Sequence, residues 1–153
     1  MRKLIGMSLL IMILDQITKL LVLKFIALNG YISIFSFLKL VHFQNSGAAF
    51  SFLHNAGGWQ RYFLIAISSI AVTWIPFYYV RNKNKPILLA GLLFILGGAL
   101  GNLVDRIRLG YVIDFIYLHI DEWYWPAFNI ADSSICIGAG LLLYDAYKRR
   151  LDD

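Results

Sequence analysis

The 153-residue chain has one cysteine, no Gly-x-Ser-x-Gly, no internal repeat, no low-complexity segment and few acids. A single cysteine excludes a disulfide framework. Cys136 sits in an apolar run, too far from the N-terminus to be a lipid-attachment site, and reads as an inert buried thiol. His42, His54 and His119 are scattered without metal-ligand spacing, so no metal site is expected. No serine has an obvious base partner, which speaks against serine-type nucleophilic catalysis.

The apolar residues are abundant instead. They make up 59% of the chain, above the roughly 45–50% of soluble globular proteins, so the class is integral membrane. The length fits one domain, 1–153. Four runs are near the ~20 residues a spanning helix needs, at about 4–28, 61–80, 86–104 and 127–147. The first begins like a signal peptide, with Arg2 and Lys3 ahead of leucines. No small-x-small cleavage site follows, and Asp15 and Lys19 interrupt the run, so an uncleaved span is expected. Pro76 is expected to kink the second span. Gly97 and Gly101 form a small-xxx-small pair that lets another helix approach the third.

The net charge of +5 does not point to nucleic acid, because the cations cluster beside apolar runs. Arg2, Lys3, Arg81, Lys83, Lys85, Lys148, Arg149 and Arg150 fall on one side. Lys39, Arg61, Arg106 and Arg108 fall on the other. The positive-inside rule then places both termini in the cytoplasm and the segments 29–60 and 105–126 outside. In the first of these, residues 31–41 are rich in β-branched and aromatic side chains and read as strand. Asn45-Ser46-Gly47 and Asn55-Ala56-Gly57-Gly58 supply turn residues. A small amphipathic sheet on the outer membrane surface is expected, with Trp59 and Tyr62 at the interface. The fold class is therefore mainly α, with four transmembrane helices and a small extracytoplasmic β-sheet.

Of the nine acids, five lie between Gly101 and Asp132. Asp114 is flanked by Val112, Ile113, Phe115 and Ile116; Asp132 opens an apolar run. A carboxylate among apolar residues is costly unless paired or protonated, and two that meet can split a peptide bond with water. Simpler readings stand beside this one. Asn129-x-x-Asp132 has the spacing of a helix capping box, with Pro126 just ahead, and the positive helix end favours a carboxylate there in either case. Asp114 could sit on the polar edge of an amphipathic strand. Asp105, at the C-terminal end of a helix, opposes the dipole and needs a cation, Arg106 or one elsewhere; Asn102 faces both. Asp15 and Lys19, spaced i,i+4, can neutralise each other and lock the first helix to its neighbours. A different class, a small proton-coupled four-helix transporter, would use Asp15 as its carrier, but a salt-bridged acid carries protons poorly.

These residues resemble the lipoprotein signal peptidases (signal peptidase II), bacterial membrane aspartyl proteases, over nearly the whole chain. Asp15-Gln16-Ile17-Thr18-Lys19 is similar to that family's first-helix motif, and Asn45-Ser46-Gly47-Ala48-Ala49-Phe50 to its Asn-x-Gly-x-Ala-Phe motif. Gly101-Asn102-Leu103-Val104-Asp105-Arg106 resembles its third-helix motif. Val112-Ile113-Asp114-Phe115 and Phe128-Asn129-Ile130-Ala131-Asp132 resemble the segments bearing its aspartates. Five motifs in the right order, with four spans, are specific where each alone is weak. The resemblance implies Asp114 and Asp132 as catalytic acids. Asn45, Asn102, Arg106 and Asn129 would hold substrate and support the acids, with Asp105 beside them. Asp15, Lys19 and Gly47 would be structural. It implies a diacylglyceryl-modified prolipoprotein as substrate, cleaved just before the lipidated cysteine at the outer leaflet of the inner membrane. The enzyme would be a monomer in contact with lipid, with no cofactor and no nucleic acid.

Overall fold

The computed structural model describes residues 1–47 and 58–152. In chain order it contains α1 (Arg2–Phe25), β1 (Tyr31–Phe35), β2 (Leu38–Asn45), α2 (Trp59–Arg81), α3 (Pro86–Arg108), β3 (Val112–Ile120), β4 (Trp123–Tyr124) and α4 (Ile130–Asp152). Three of these, α1, α2 and α3, are long and apolar enough to cross a membrane. Helix α4 is as long as α2 and α3 but is not one of them. It carries Asp132, Asp145 and the Lys148–Arg150 cluster, which lower its mean hydropathy.

Helix α3 is the centre of the bundle, and small residues make that possible. A Cβ on Gly98 would collide with the Ala131 carbonyl oxygen of α4. A Cβ on Gly97 would lie 2.8 Å from Ile11 of α1, and one on Gly101 2.6 Å from the Asp15 carboxylate. The expected Gly97/Gly101 contact is thus made with α1, where lipid gives no hydrophobic drive and close backbone packing holds helices together. Two serines add bonds across the same seams. Ser8 Oγ donates to Leu93 O (2.9 Å) and Ser134 Oγ to Phe94 O (2.7 Å).

The sheet is antiparallel in the order β1-β2-β3-β4. Strand β1 and the tips of the sheet leave Tyr31, Phe35, Phe37, Trp123 and Tyr124 exposed. The β2–β3 register slips between Leu40 and Phe43: Leu40 pairs with Ile116, but Phe43 pairs with Asp114. One extra residue on β2 reverses which side chains share a face. Without it, Asp114 would be diagonal to Gln44; with it, Asp114 is diagonal to Asn45.

Several boundaries differ from the sequence reading. Helix α3 runs to Arg108 rather than 104, so Asp105 and Arg106 belong to its last turn and not to the outer connection. Gly110, at φ 89°, then turns the chain into β3. Helix α4 starts at Ile130 rather than 127, because Phe128 is taken up by the sheet. Its N–H donates to Ile116 O (3.1 Å), and its own carbonyl accepts from Phe115 and Ile116. Cys136 is exposed, not buried. The buried face of α4 runs through Ala131, Ser134, Gly138 and Asp145, and Cys136 lies off it. Ala48, Ala49, Phe50, His54, Asn55, Ala56 and Gly57 lie outside the described residues.

Candidate active site

The site begins with Asn129, the residue ahead of α4. Its side-chain Oδ1 accepts from the Asp132 N–H (2.8 Å), and its own N–H donates to Asp132 Oδ2 (3.3 Å). That reciprocal pair is the capping box read from the spacing. The Asn129 amide has one more group to place, and its Nδ2 donates to Asp114 Oδ1 (2.8 Å) on β3. One fully buried asparagine therefore binds both acids. The Ile116–Phe128 bridge fixes the approach, laying the segment before α4 against the strand that carries Asp114.

Asp114 is 3% exposed, so it is not an edge acid on a polar strand face. Asn45 Nδ2 donates to its second oxygen, Oδ2 (2.8 Å), the contact that the β2 slip permits. Asn45 is held in turn by the Gly47 N–H, which donates to Asn45 Oδ1 (2.9 Å). Burial is the main reason the Asp114 carboxyl is pushed up to about 7, and the charge of nearby Asp132 adds to it. The amides of Asn45 and Asn129 pull the other way.

The other acid is supported from α3. Asn102 Nδ2 donates to Asp132 Oδ1 (2.8 Å), and Asn102 Oδ1 accepts from Lys19 Nζ (3.0 Å). Lys19 is buried and lies 2.8 Å from Asp15 Oδ2 and 2.7 Å from Asp105 Oδ2. So the i,i+4 pair exists, and the cation that Asp105 required is Lys19 of α1, not its neighbour Arg106. Asp15 also reaches α4, where Oδ1 accepts from the Ala131 N–H (2.9 Å). Arg106 is buried and donates through Nη2 to Gly47 O (3.0 Å); among the described residues its Nε has no partner.

Two groups were not assigned a role in the sequence. Gln16 Nε2 donates to Asp105 Oδ1 (2.8 Å) and to Gly101 O (3.1 Å). Arg61 Nε donates to Arg106 O (3.1 Å), tying α2 to the C-terminal end of α3. Gln16 could have been suspected as a polar residue in an apolar run. Nothing in the sequence around Arg61 marks this bond, since its acceptor is a backbone carbonyl that sequence spacing does not reveal.

Cavities open beside both acids. One of about 340 Å³ has Asp114, Asn45, Tyr117 and Pro126 in its wall. A second, about 220 Å³, lies among α2, α3 and α4, and its lining includes Leu64, Ile67 and Ile95 together with Asn102, Arg106 and Asp132. A third, about 290 Å³, also has Asp132 in its wall, with Trp125, Phe128 and Ile137. The acids thus stand where polar and apolar spaces converge. Among the described residues, no group of three or more His, Cys, Asp or Glu is arranged to hold a metal ion.

The family model described as signal peptidase (SPase) II matches residues 7–148. A lipoprotein signal peptidase of Janthinobacterium sp. (strain Marseille) is 43% identical over 145 residues, covering 95% of this chain and 88% of that protein. One from Burkholderia mallei (strain SAVP1) is 44% identical, covering 95% and 87%. A solved structure described as a bacterial membrane enzyme, determined in meso at 2.3 Å, superposes with a TM-score of 0.89 at 27% identity, covering 100% of this chain and 92% of that one. A second, at 1.9 Å, gives 0.80 at 27% identity over 94% and 92%.

Proposed function

The chain belongs to the signal peptidase II family, bacterial membrane peptidases of aspartic type that remove signal peptides from prolipoproteins, and on that premise we propose how this chain does so. Asp114 and Asp132 are the catalytic acids, and they act as one unit on a single water. The observation that carries this reading is the Asn129 side chain and backbone bonding both carboxyls.

At neutral pH one proton is shared between the acids. Up to about neutral pH it is placed on Asp114, whose carboxyl burial pushes up to about 7. Asp132, at the head of α4 and receiving N–H bonds from Asn102 and Asn129, is the carboxylate. Asp132 takes a proton from water as its oxygen attacks the scissile carbonyl carbon, while Asp114 gives its proton to the carbonyl oxygen. As the tetrahedral intermediate collapses, the carbon–nitrogen bond breaks. The proton held by Asp132 passes to the leaving amine, and Asp114 recovers the hydroxyl proton. The sum is peptide plus water giving acid plus amine, with no cofactor involved.

The substrate is a diacylglyceryl-modified prolipoprotein cut just before its lipidated cysteine. The apolar spaces flanking Asp132 support this, since an acyl-bearing residue needs them and a soluble peptide does not. Asn45, Asn102, Asn129 and Arg106 hold the acids and the substrate backbone, Gly47 fixes Asn45, and Asp105 lies behind them. Helix α4 is the fourth span, both termini are cytoplasmic, and the site lies near the outer leaflet with the exposed aromatic sheet against lipid. The working unit is a monomer. A proton carrier at Asp15 is disfavoured by its ion pair with Lys19 and its bond to Ala131 N.

Purified protein incubated with diacylglyceryl-modified prolipoprotein is expected to release the signal peptide, leaving lipidated cysteine as the new N-terminus. Equal cleavage of the unmodified precursor would contradict the lipid requirement, and a cut elsewhere would contradict the position.

A further inference from the structure

We propose that Lys19 is a positioning residue for the reaction: it holds the Asn102 amide so that its NH2 faces Asp132 in every step. The proposal rests on the two-acid reading above and adds a role to a lysine that would otherwise serve only the bundle. An ammonium has three N–H groups and no acceptor. Those of Lys19 face Asp15 Oδ2 at 2.8 Å, Asp105 Oδ2 at 2.7 Å and Asn102 Oδ1 at 3.0 Å, so its donors are all engaged. A lysine needed only for charge balance would be complete with its two carboxylates. The third donor instead reaches the amide that donates to Asp132 Oδ1 at 2.8 Å.

The consequence follows from what Asp132 must do. As a carboxylate it can only accept, and an asparagine beside it would turn its NH2 inward unaided. Once Asp132 has taken the proton from water it becomes a donor as well, and a free amide could then rotate to offer Oδ1 and hold that proton. Lys19 prevents the rotation, because an ammonium can face only Oδ1. Asn102 therefore stays a donor to Asp132 throughout, and the protonated acid is left poorly supported and ready to release its proton to the leaving amine.

The carboxylates around Lys19 extend the same frame to both acids. Asp15 accepts from the N–H of Ala131, immediately before Asp132. Asp105 receives the N–H of Ile113, immediately before Asp114, in a long contact of 3.5 Å. Gln16 steadies Asp105 through its other oxygen. Lys19, Asp15, Asp105 and Asn102 are buried and Asp132 is half-buried, which limits the access of solvent to the amide.

The test is a double-mutant cycle on the purified full chain with diacylglyceryl-modified prolipoprotein. Lys19→Met, Asn102→Ala and the double variant are compared in kcat, KM and thermal unfolding. Lys19→Met is expected to lower kcat by about 10-fold or more with KM changed by less than about twofold. In the Asn102→Ala background it is expected to cost less than about twofold further. A loss of kcat as large in that background as in the native one would overturn the proposal, and so would an unchanged kcat. If Lys19→Met is not recovered folded, Lys19→Gln enters the same cycle with the same two criteria. Asp114→Asn and Asp132→Asn are assayed alongside. If either keeps a near-native rate, the two-acid reading fails. If both are inactive and Lys19 acts independently of Asn102, that reading stands and only the positioning role is lost.

Discussion

The two halves of helix α3 have opposite surroundings. Before Gly97, Leu88, Leu92 and Leu96 pack with Leu4 of α1 and Ile75 of α2 in a buried apolar cluster. Beyond it, Asn102, Asp105 and Arg106 are buried with Asp15, Lys19, Asp114 and Asn129. The same backbone crosses from one environment to the other within about two turns. The apolar half holds the bundle by contact and by the absence of side chains where helices touch. The polar half carries the desolvation of several charged groups, and buried ion pairs recover that only with complete hydrogen bonding. It therefore adds little net stability. It keeps two carboxyls, from a strand and from a helix start, at fixed positions on one asparagine.

Substitutions should separate the halves. The largest effect is expected from Gly98→Leu, which places a side chain against the Ala131 carbonyl at the junction of both halves. Loss of folded, active protein together should follow, measured by recovery in detergent and by cleavage; a folded active variant would refute the close packing of α3 on α4. Asn129→Ala comes next. It removes the shared support of both acids and should lower kcat by about 100-fold, while losing about 1 kcal/mol as a helix cap. Leu92→Ala, in the apolar half, should reverse that pattern. It should cost about 2–5 kcal/mol in thermal or denaturant unfolding with kcat per folded molecule within about twofold.

The smallest effect concerns pH. Asp114 gives up its proton as the pH rises through about 7, so cleavage should fall on that alkaline side. The Asn45 amide pulls this value down, so Asn45→Ala should carry the alkaline limb to higher pH by up to about one unit, or ~1.4 kcal/mol. A limb that moved downward would show that another group sets it. Stability has its own sign. Between the ordinary value of 3.8 and about 7, folded Asp114 keeps a proton that the unfolded chain has released. Stability should therefore decline as pH rises across that window, and Asp114→Asn should flatten the decline.

How far the sequence revealed this site depended on the distance between partners. The capping box at Asn129 and Asp132, the Asp15–Lys19 pair and the Gly97/Gly101 contact are local patterns, and each is present. The helices were placed to within a few residues, and the errors have physical causes. Phe128 bonds to Ile116 and delays α4, and Lys148–Arg150 extend that helix where charge marked an end. Long-range choices were hidden. Nothing near Asp105 shows that its cation comes from α1, 86 positions away, and nothing in β2 shows the extra residue that brings Asn45 to Asp114. Cys136 shows that an apolar run is not a buried one, because an apolar residue can lie on the exposed face of its helix.

The central claim is that Asp114 and Asp132 work as one unit on one water. The direct measurement is the cleavage rate of diacylglyceryl-modified prolipoprotein by Asp114→Asn, Asp132→Asn and the double variant, each confirmed as folded. Each single change should reduce the rate to background and the double should be no slower. A single variant that retains most of the native rate would contradict the claim.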